Sequence, residues 1–263
     1  MIASRMLSFA VLFLIASSAA TAQQQPLRQP PPRTQQQRAP EGPRLHIEID
    51  GAYRSSTQTL TDTASPTIYA ESGSLSAGYD VPAVPGFSGG ASFRLWKYLG
   101  VGVGISRFSA SFPGEVRGSI PNPFTFSQQR TFEGSVSDLA RKELALGVHL
   151  RGMFQVSPKF GVSVYAGPTR LSVTQDVITA IQYTESYPYD TATFSAAQIA
   201  TDKVNKWGIG AGADLAYYFT RNVGVGVGVK YSGGETELVS LGSSPLKSKL
   251  GGSEFGGGLR LRF

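Results

Sequence analysis

Apolar and polar residues alternate with a period of two through most of the chain beyond residue 44, the spacing of strands with one apolar face. Leu45, Ile47, Ile49, Gly51 and Tyr53 fall on one side, and His46, Glu48, Asp50 and Arg54 on the other. The same alternation recurs over 87–95, 101–106, 143–156, 162–167, 207–218, 223–231 and 254–263, which predicts eight strands. In each of them one face is apolar and the other is small, polar or charged. A water-soluble sandwich and a lipid-facing barrel both have this pattern, so alternation alone does not separate them.

The connections do. Residues 97–99, 157–159 and 220–222 make three short turns, whereas about 30 residues follow Arg54 and Phe108, about 33 follow Thr169 and about 16 follow Ser232. Short and long alternate strictly, so a meander puts all short turns at one end and all long loops at the other, the asymmetry of membrane barrels. The strand-like residues in 177–183 and 191–194 suggest that the long connections continue as hairpins beyond the membrane. Aromatic residues fall at two levels. Trp96, Tyr98, Phe160, Tyr217, Phe219 and Phe263 lie near the short turns or the C-terminus, and Tyr53, Phe108, Trp207 and Tyr231 near the long connections. Two such levels read as membrane-interface belts. Ten residues tilted by ~40° rise about 25 Å, enough for the apolar band. A lipid-exposed edge would leave backbone groups unpaired, so the eighth strand must close on the first. The expected fold is all-β: an eight-stranded antiparallel up-and-down transmembrane β-barrel over 44–263.

What precedes residue 44 reads differently. Arg5, the apolar run 6–16 and the small-residue triplet Ala20, Thr21, Ala22 make 1–22 a cleavable secretory signal peptide. Thirteen of the 21 residues in 23–43 are Gln or Pro, a composition too polar to fold by itself, and we expect a disordered periplasmic tail. The absence of cysteine excludes disulfides, thiolate catalysis and Cys-ligated metals. Only 16% of residues are charged, and the net charge of +6 is scattered rather than gathered on one face, which argues against nucleic acid as a partner.

Candidate chemistry concentrates on the face turned away from lipid. His46, Glu48 and Asp50 share that face with Arg260 and Arg262 of the closing strand, and Arg94, Glu143, His149, Arg151, Asp214, Lys230 and Glu254 have the same orientation on other strands. Charges in a low-dielectric lumen are expected to pair, so these twelve residues predict a structural ion network, with Glu48 meeting Arg260 or Arg262 across the seam. A metal site on His46, Glu48 and Asp50 is the lesser reading. Catalysis has little to work with: the two histidines, His46 and His149, have no serine beside them on their own strand faces. The runs Gly208–Gly212 and Gly224–Gly228 resemble phosphate loops but sit inside strands, without the helix that such loops need. We therefore expect no catalytic, cofactor-binding or metal-binding residues.

The signal-like start, the eight alternating strands, the short turn Thr220, Arg221, Asn222 and a last strand ending on Phe263 together resemble the bacterial outer-membrane β-barrel family of the OmpA, OmpX and OmpW type. The resemblance implies the outer membrane of a Gram-negative-type bacterium, contact with outer-membrane lipid, and recognition of the C-terminal strand by the barrel-insertion machinery. It does not fix an activity; the long outward loops, rich in Ser, Thr, Tyr, Phe and Pro, point to a structural or surface-interaction role with an unknown extracellular ligand, and eight strands enclose a lumen expected to be mostly filled by side chains. The alternative is an OmpW-like narrow channel or conduit for small molecules.

Overall fold

A computed structural model describes residues 43–242 and 244–263. The expected signal peptide and nearly all of the Gln/Pro tail lie outside the described residues. The strands in chain order are β1 (Leu45–Arg54), β2 (Gln58–Ala64), β3 (Thr67–Ile68), β4 (Glu71–Ser72), β5 (Ser74–Val81), β6 (Val84–Arg94), β7 (Leu99–Pro121), β8 (Gln129–Gln155), β9 (Phe160–Glu185), β10 (Ala192–Tyr218), β11 (Val223–Leu238) and β12 (Leu246–Arg262).

Eight of these close into a ring in the order β1, β6, β7, β8, β9, β10, β11, β12, every neighbour antiparallel. The seam between β12 and β1 runs from His46 opposite Arg262 to Arg54 opposite Glu254. This is the predicted up-and-down barrel, and its outward face carries the predicted apolar rows. Val101, Val103 and Ile105 on β7, for example, point out between buried or half-buried Gly102, Gly104 and Ser106.

The long connections are mostly strand. β7 to β10 are 23 to 27 residues long, far more than a bilayer needs, so the wall continues beyond the membrane on the side opposite the short turns. The segment between β1 and β6 folds as a small insert in which β2 pairs with β5, and β5 replaces β6 as the neighbour of outer β7, with Ser74 opposite Ser119.

Along β7 the alternation never breaks, but its polarity reverses. Below Ser106 the outward residues are Val101, Val103 and Ile105; above it they are Arg107, Ser109 and Ser111, while Phe108, Ala110, Phe112 and Val116 turn inward and are buried. The upper interior is an apolar core that also holds Leu60, Tyr79, Ile120, Leu139 and Ile178. Phe108 is therefore not part of the interface belt predicted for it. Its even position puts it on the lumen side, where the Arg54 guanidinium lies 4.0 Å from its ring centre. The other predicted belt residues are outward, from half-buried Tyr217 to Trp96 and Trp207, each 71% exposed. A bulge at Ser137 and Asp138 of β8, with Asp138 in the left-handed backbone region, shifts the register to β7 and exchanges the inward and outward positions above it.

Candidate functional site

The lumen within the membrane-spanning part is crossed by ions at successive levels. At the short-turn end, Arg262 donates to the carbonyls of Arg221 (2.7 Å) and Pro158 (3.0 Å) and stacks on Tyr218 at 3.8 Å. Beside it, Arg94 and His46 are 3.4 Å apart, and His46 also approaches the Pro43 carbonyl at 3.3 Å. One level up, Arg260 bridges Asp50 at 2.6 Å and Asp214, while Arg151 reaches across the lumen from β8 to Glu48 on β1 at 2.6 Å. Higher still, Arg54 is held between Glu254 (2.9 Å) and Glu143, and Glu143 passes its other oxygen to Arg141 at 2.7 Å. Lys230 donates to the Ser106 hydroxyl at 2.6 Å and stands 3.8 Å from Glu254.

Two details differ from expectation. Glu48 is opposite Arg260 in backbone register but pairs with Arg151, because Arg260 turns sideways to Asp50 and Asp214. It can do so because β11 carries Gly226, where an added Cβ would stand 2.7 Å from the Arg260 Nε. Not every predicted member is in an ion pair: among the described residues Arg94, Arg262, His46 and His149 have no carboxylate within 4.0 Å. Three of them lie by the short turns, where backbone carbonyls accept from Arg262 and approach His46, and Arg94 leans on His46. His149 packs instead against the Tyr165 ring, centres 4.7 Å apart. Neither histidine shares a hydrogen bond with a serine hydroxyl, and no three His, Asp or Glu side chains converge on a metal position, among the described residues.

Arg54 and Arg141 belong to this network without having been singled out. Arg54 continues the His46, Glu48, Asp50 face, whereas Arg141 lies in the long connection after Phe108, just before the alternation over 143–156 begins. The voids left between the ions in the membrane part are only about 40 Å³ each.

Above the network a larger cavity of about 810 Å³ lies over Arg54, Phe108, Arg141 and Glu143. Its lining extends to Ile209, Ala211 and Tyr231, which face outward, so it opens through the wall. The opening is where β10 and β11 part: their pairing ends at Ile209 opposite Gly233. At that point the backbones touch, and a Cβ on Gly208 would lie 2.2 Å from the Gly233 carbonyl oxygen. Higher up, the hairpin tip returns, with Val239 N–H donating to Asp202 at 2.9 Å and Ser240 and Leu241 both bonded to Asp62 at 2.6 Å.

The outermost loops form a tied crown. Asn122 accepts from the N–H groups of Phe124 and Thr125 and donates to the Tyr189 carbonyl at 3.1 Å, which joins the β7–β8 and β9–β10 loops. Glu71 takes the Ser127 N–H, and the Tyr69 hydroxyl donates to Glu185 at 2.8 Å, which joins the β3–β4 hairpin to both. Phe124, Phe126 and Tyr187 remain 72%, 80% and 83% exposed.

No protein-family profile matches the sequence, and no curated protein matches it. Solved structures are similar in fold. The outer membrane protein OprG from Pseudomonas aeruginosa is 10% identical, over 85% of this chain and 97% of that one, with a TM-score of 0.48. Neisserial surface protein A is 14% identical over 83% and 97%, with a TM-score of 0.43. The outer membrane protease OmpT from Escherichia coli is 11% identical over 83% and 97%, also at 0.43. The barrel described above rests on its own strand pairing.

Proposed function

We propose that this chain is an outer-membrane protein of a Gram-negative-type bacterium, closed to through-flow, that displays a rigid interaction surface outside the cell. The observation that carries this reading is the crown. Its three loops are hydrogen-bonded to one another, so Phe124, Phe126 and Tyr187 are held out as exposed rings whose ordering cost is already met within the fold. Aromatic residues on preorganised loops give contact area at low entropic cost. Beneath them, the ion network and the apolar upper core support a filled lumen, as expected for eight strands. We read the barrel as non-catalytic, since the lone His149 lies against Tyr165 with no nucleophile bonded to it. Insertion through a C-terminal strand ending at Phe263 remains part of this proposal.

Cells displaying the Phe124→Ser, Phe126→Ser, Tyr187→Ser variant should bind target-cell surfaces at least about tenfold less well than the parent by flow cytometry, with equal surface expression. Unchanged binding would overturn the interaction reading. In planar bilayers the purified protein should give no conductance steps.

A second reading rests on the cavity that opens between β10 and β11. A small amphipathic molecule entering there would meet Ile209, Ala211 and Tyr231 first and the Arg54 and Glu143 charges at depth, the arrangement of a conduit or binding pocket. Uptake of an uncharged aromatic probe that the Gly234→Trp variant blocks would favour this reading over the first.

A further inference from the structure

The crown joins rings as well as loops. Tyr189 of the β9–β10 loop meets Phe124 of the β7–β8 loop at 5.3 Å between ring centres and 75° between planes. On its own loop it meets Tyr187 at 6.4 Å and 89°. Tyr189 is half-buried, and the other two rings stand open to solvent. One residue sets rings on both loops: the Asn122 amide donates to the Tyr189 carbonyl and accepts from the Phe124 N–H at 2.8 Å. Rings at right angles make corners. A rounded cation in a corner meets two electron-rich faces at once, whereas a flat apolar group meets only one.

The charge around these rings has one sign. Residues 55–93 and 171–202 include no Lys or Arg and carry Asp62, Glu71, Asp80, Asp176, Glu185, Asp190 and Asp202. In the β7–β8 loop the nearest cation is Arg130, which is buried and spent on Glu185 and the Pro121 carbonyl. Further down the outer wall Arg117 lies between Glu115 at 3.4 Å and Glu133 at 3.6 Å, so it is spent as well. Of the crown carboxylates, Glu71 holds the Ser127 N–H and Glu185 holds Tyr69 and Arg130. Asp190, next to Tyr189, is exposed and has no hydrogen bond or ion pair among the described residues. A right-angled aromatic corner beside a free carboxylate, with no free cation in the crown, selects a positively charged, rounded ligand.

We propose that the corner formed by Phe124, Tyr187 and Tyr189 binds the trimethylammonium end of choline headgroups on an apposed membrane, with Asp190 as its counter-charge. The inference rests on the interaction reading above and names its partner. The crown is at the end of the wall opposite the short turns, so it meets a facing bilayer before any other part of the chain does. The trimethylammonium is the outermost group of a choline headgroup, and the phosphate behind it stays away from Asp190. One corner binds weakly; many copies against many headgroups add up. The test immobilises the full chain in nanodiscs free of choline lipid and measures capture of two kinds of vesicle, phosphatidylcholine or phosphatidylethanolamine, each mixed with phosphatidylglycerol in the same proportion. Charge is then equal and only methylation differs. The choline vesicles should be captured at least about tenfold better. Phe124→Leu, Tyr187→Leu keeps apolar area but removes two ring faces, and should erase that preference. Asp190→Lys, at an exposed position, should weaken choline capture several-fold and carries the test if the leucine variant does not fold. Equal capture of the two vesicles, or a preference that survives both variants, would overturn the proposal. Displacement by sub-millimolar free choline would overturn the membrane source and assign the corner to a soluble ligand. Each of these results leaves the interaction reading standing if the serine variant still loses cell binding; unchanged cell binding overturns that reading itself.

Discussion

The lower and upper halves of this barrel are built from the same strands and have opposite polarity. Below Ser106 of β7, Val101, Val103 and Ile105 face out and glycines face in; above it, Arg107, Ser109 and Ser111 face out and Phe108, Ala110 and Phe112 face in. The backbone is indifferent to this exchange, since a ladder pairs its N–H and C=O groups whatever the side chains are. What changes is the solvent. Where hydrocarbon surrounds the wall, the apolar side must be outside and the interior is left to groups that can pair with each other, such as Arg260 with Asp50 and Asp214. Where water surrounds it, the apolar side goes inside, and Leu139, Val116 and Ile178 form an ordinary core. The two halves are thus held by different forces, and substitutions should separate them.

The largest effect is expected in the lower interior. Asp214→Ala removes one of the two carboxylates of Arg260 and leaves a buried cation half-paired, which should lower stability by about 3–5 kcal/mol in urea unfolding from vesicles. A full return of stability on combining it with Arg260→Met and Asp50→Ala, which leaves no member of the triad charged, would sharpen the point, since an apolar interior needs no pairing. Next comes the outer face. Val227→Lys puts a charge into the apolar rows and should cost about 2–4 kcal/mol. Ser111→Lys, also outward but in the upper half, should stay within about 0.5 kcal/mol. Equal costs would break the comparison. The smallest effect concerns alkaline pH. Tyr79 is fully buried in the upper core, its oxygen accepting the Ile178 N–H at 2.8 Å. Burial pushes its hydroxyl up to about 12, from an ordinary value of 10.0. Because the folded state holds this proton more tightly than the unfolded chain, the stabilisation is complete below pH 10 and is lost as pH rises from 10 to 12. The loss amounts to about 2–3 kcal/mol. Tyr79→Phe should flatten that window in a pH-dependent unfolding series, at the expense of lower stability at neutral pH from the unpartnered Ile178 amide.

Much of the lower half was legible in the sequence, because period-two alternation, short turns and the need for closure leave one arrangement. The eight strands, the seam that sets β1 against β12 and the inward placement of the ionic residues all follow from that. The upper half was harder, since its alternation has the other sign. A reader following apolar residues outward stops at Phe108 and takes it for a belt residue, although its parity with Ser106 already assigns it to the interior. On β8 the alternation itself changes step at Asp138, and no composition rule locates a bulge. Partner choice within the lumen was not legible either. Backbone register sets Glu48 opposite Arg260, but an arginine side chain is long enough to reach a strand that is not its neighbour, and the space left by Gly226 decides where Arg260 turns.

The reversal at Ser106 also sets the depth of the molecule. One step of alternation above the last apolar row, the wall carries Arg107, Lys142 and Arg170, so sinking the barrel would bring three full charges into oil, and raising it would strip Trp207 and Tyr231 of their boundary. The chain therefore measures bilayer thickness: in a membrane too thick for its rows, the lipid has to thin around the protein, because the protein has no room to slide.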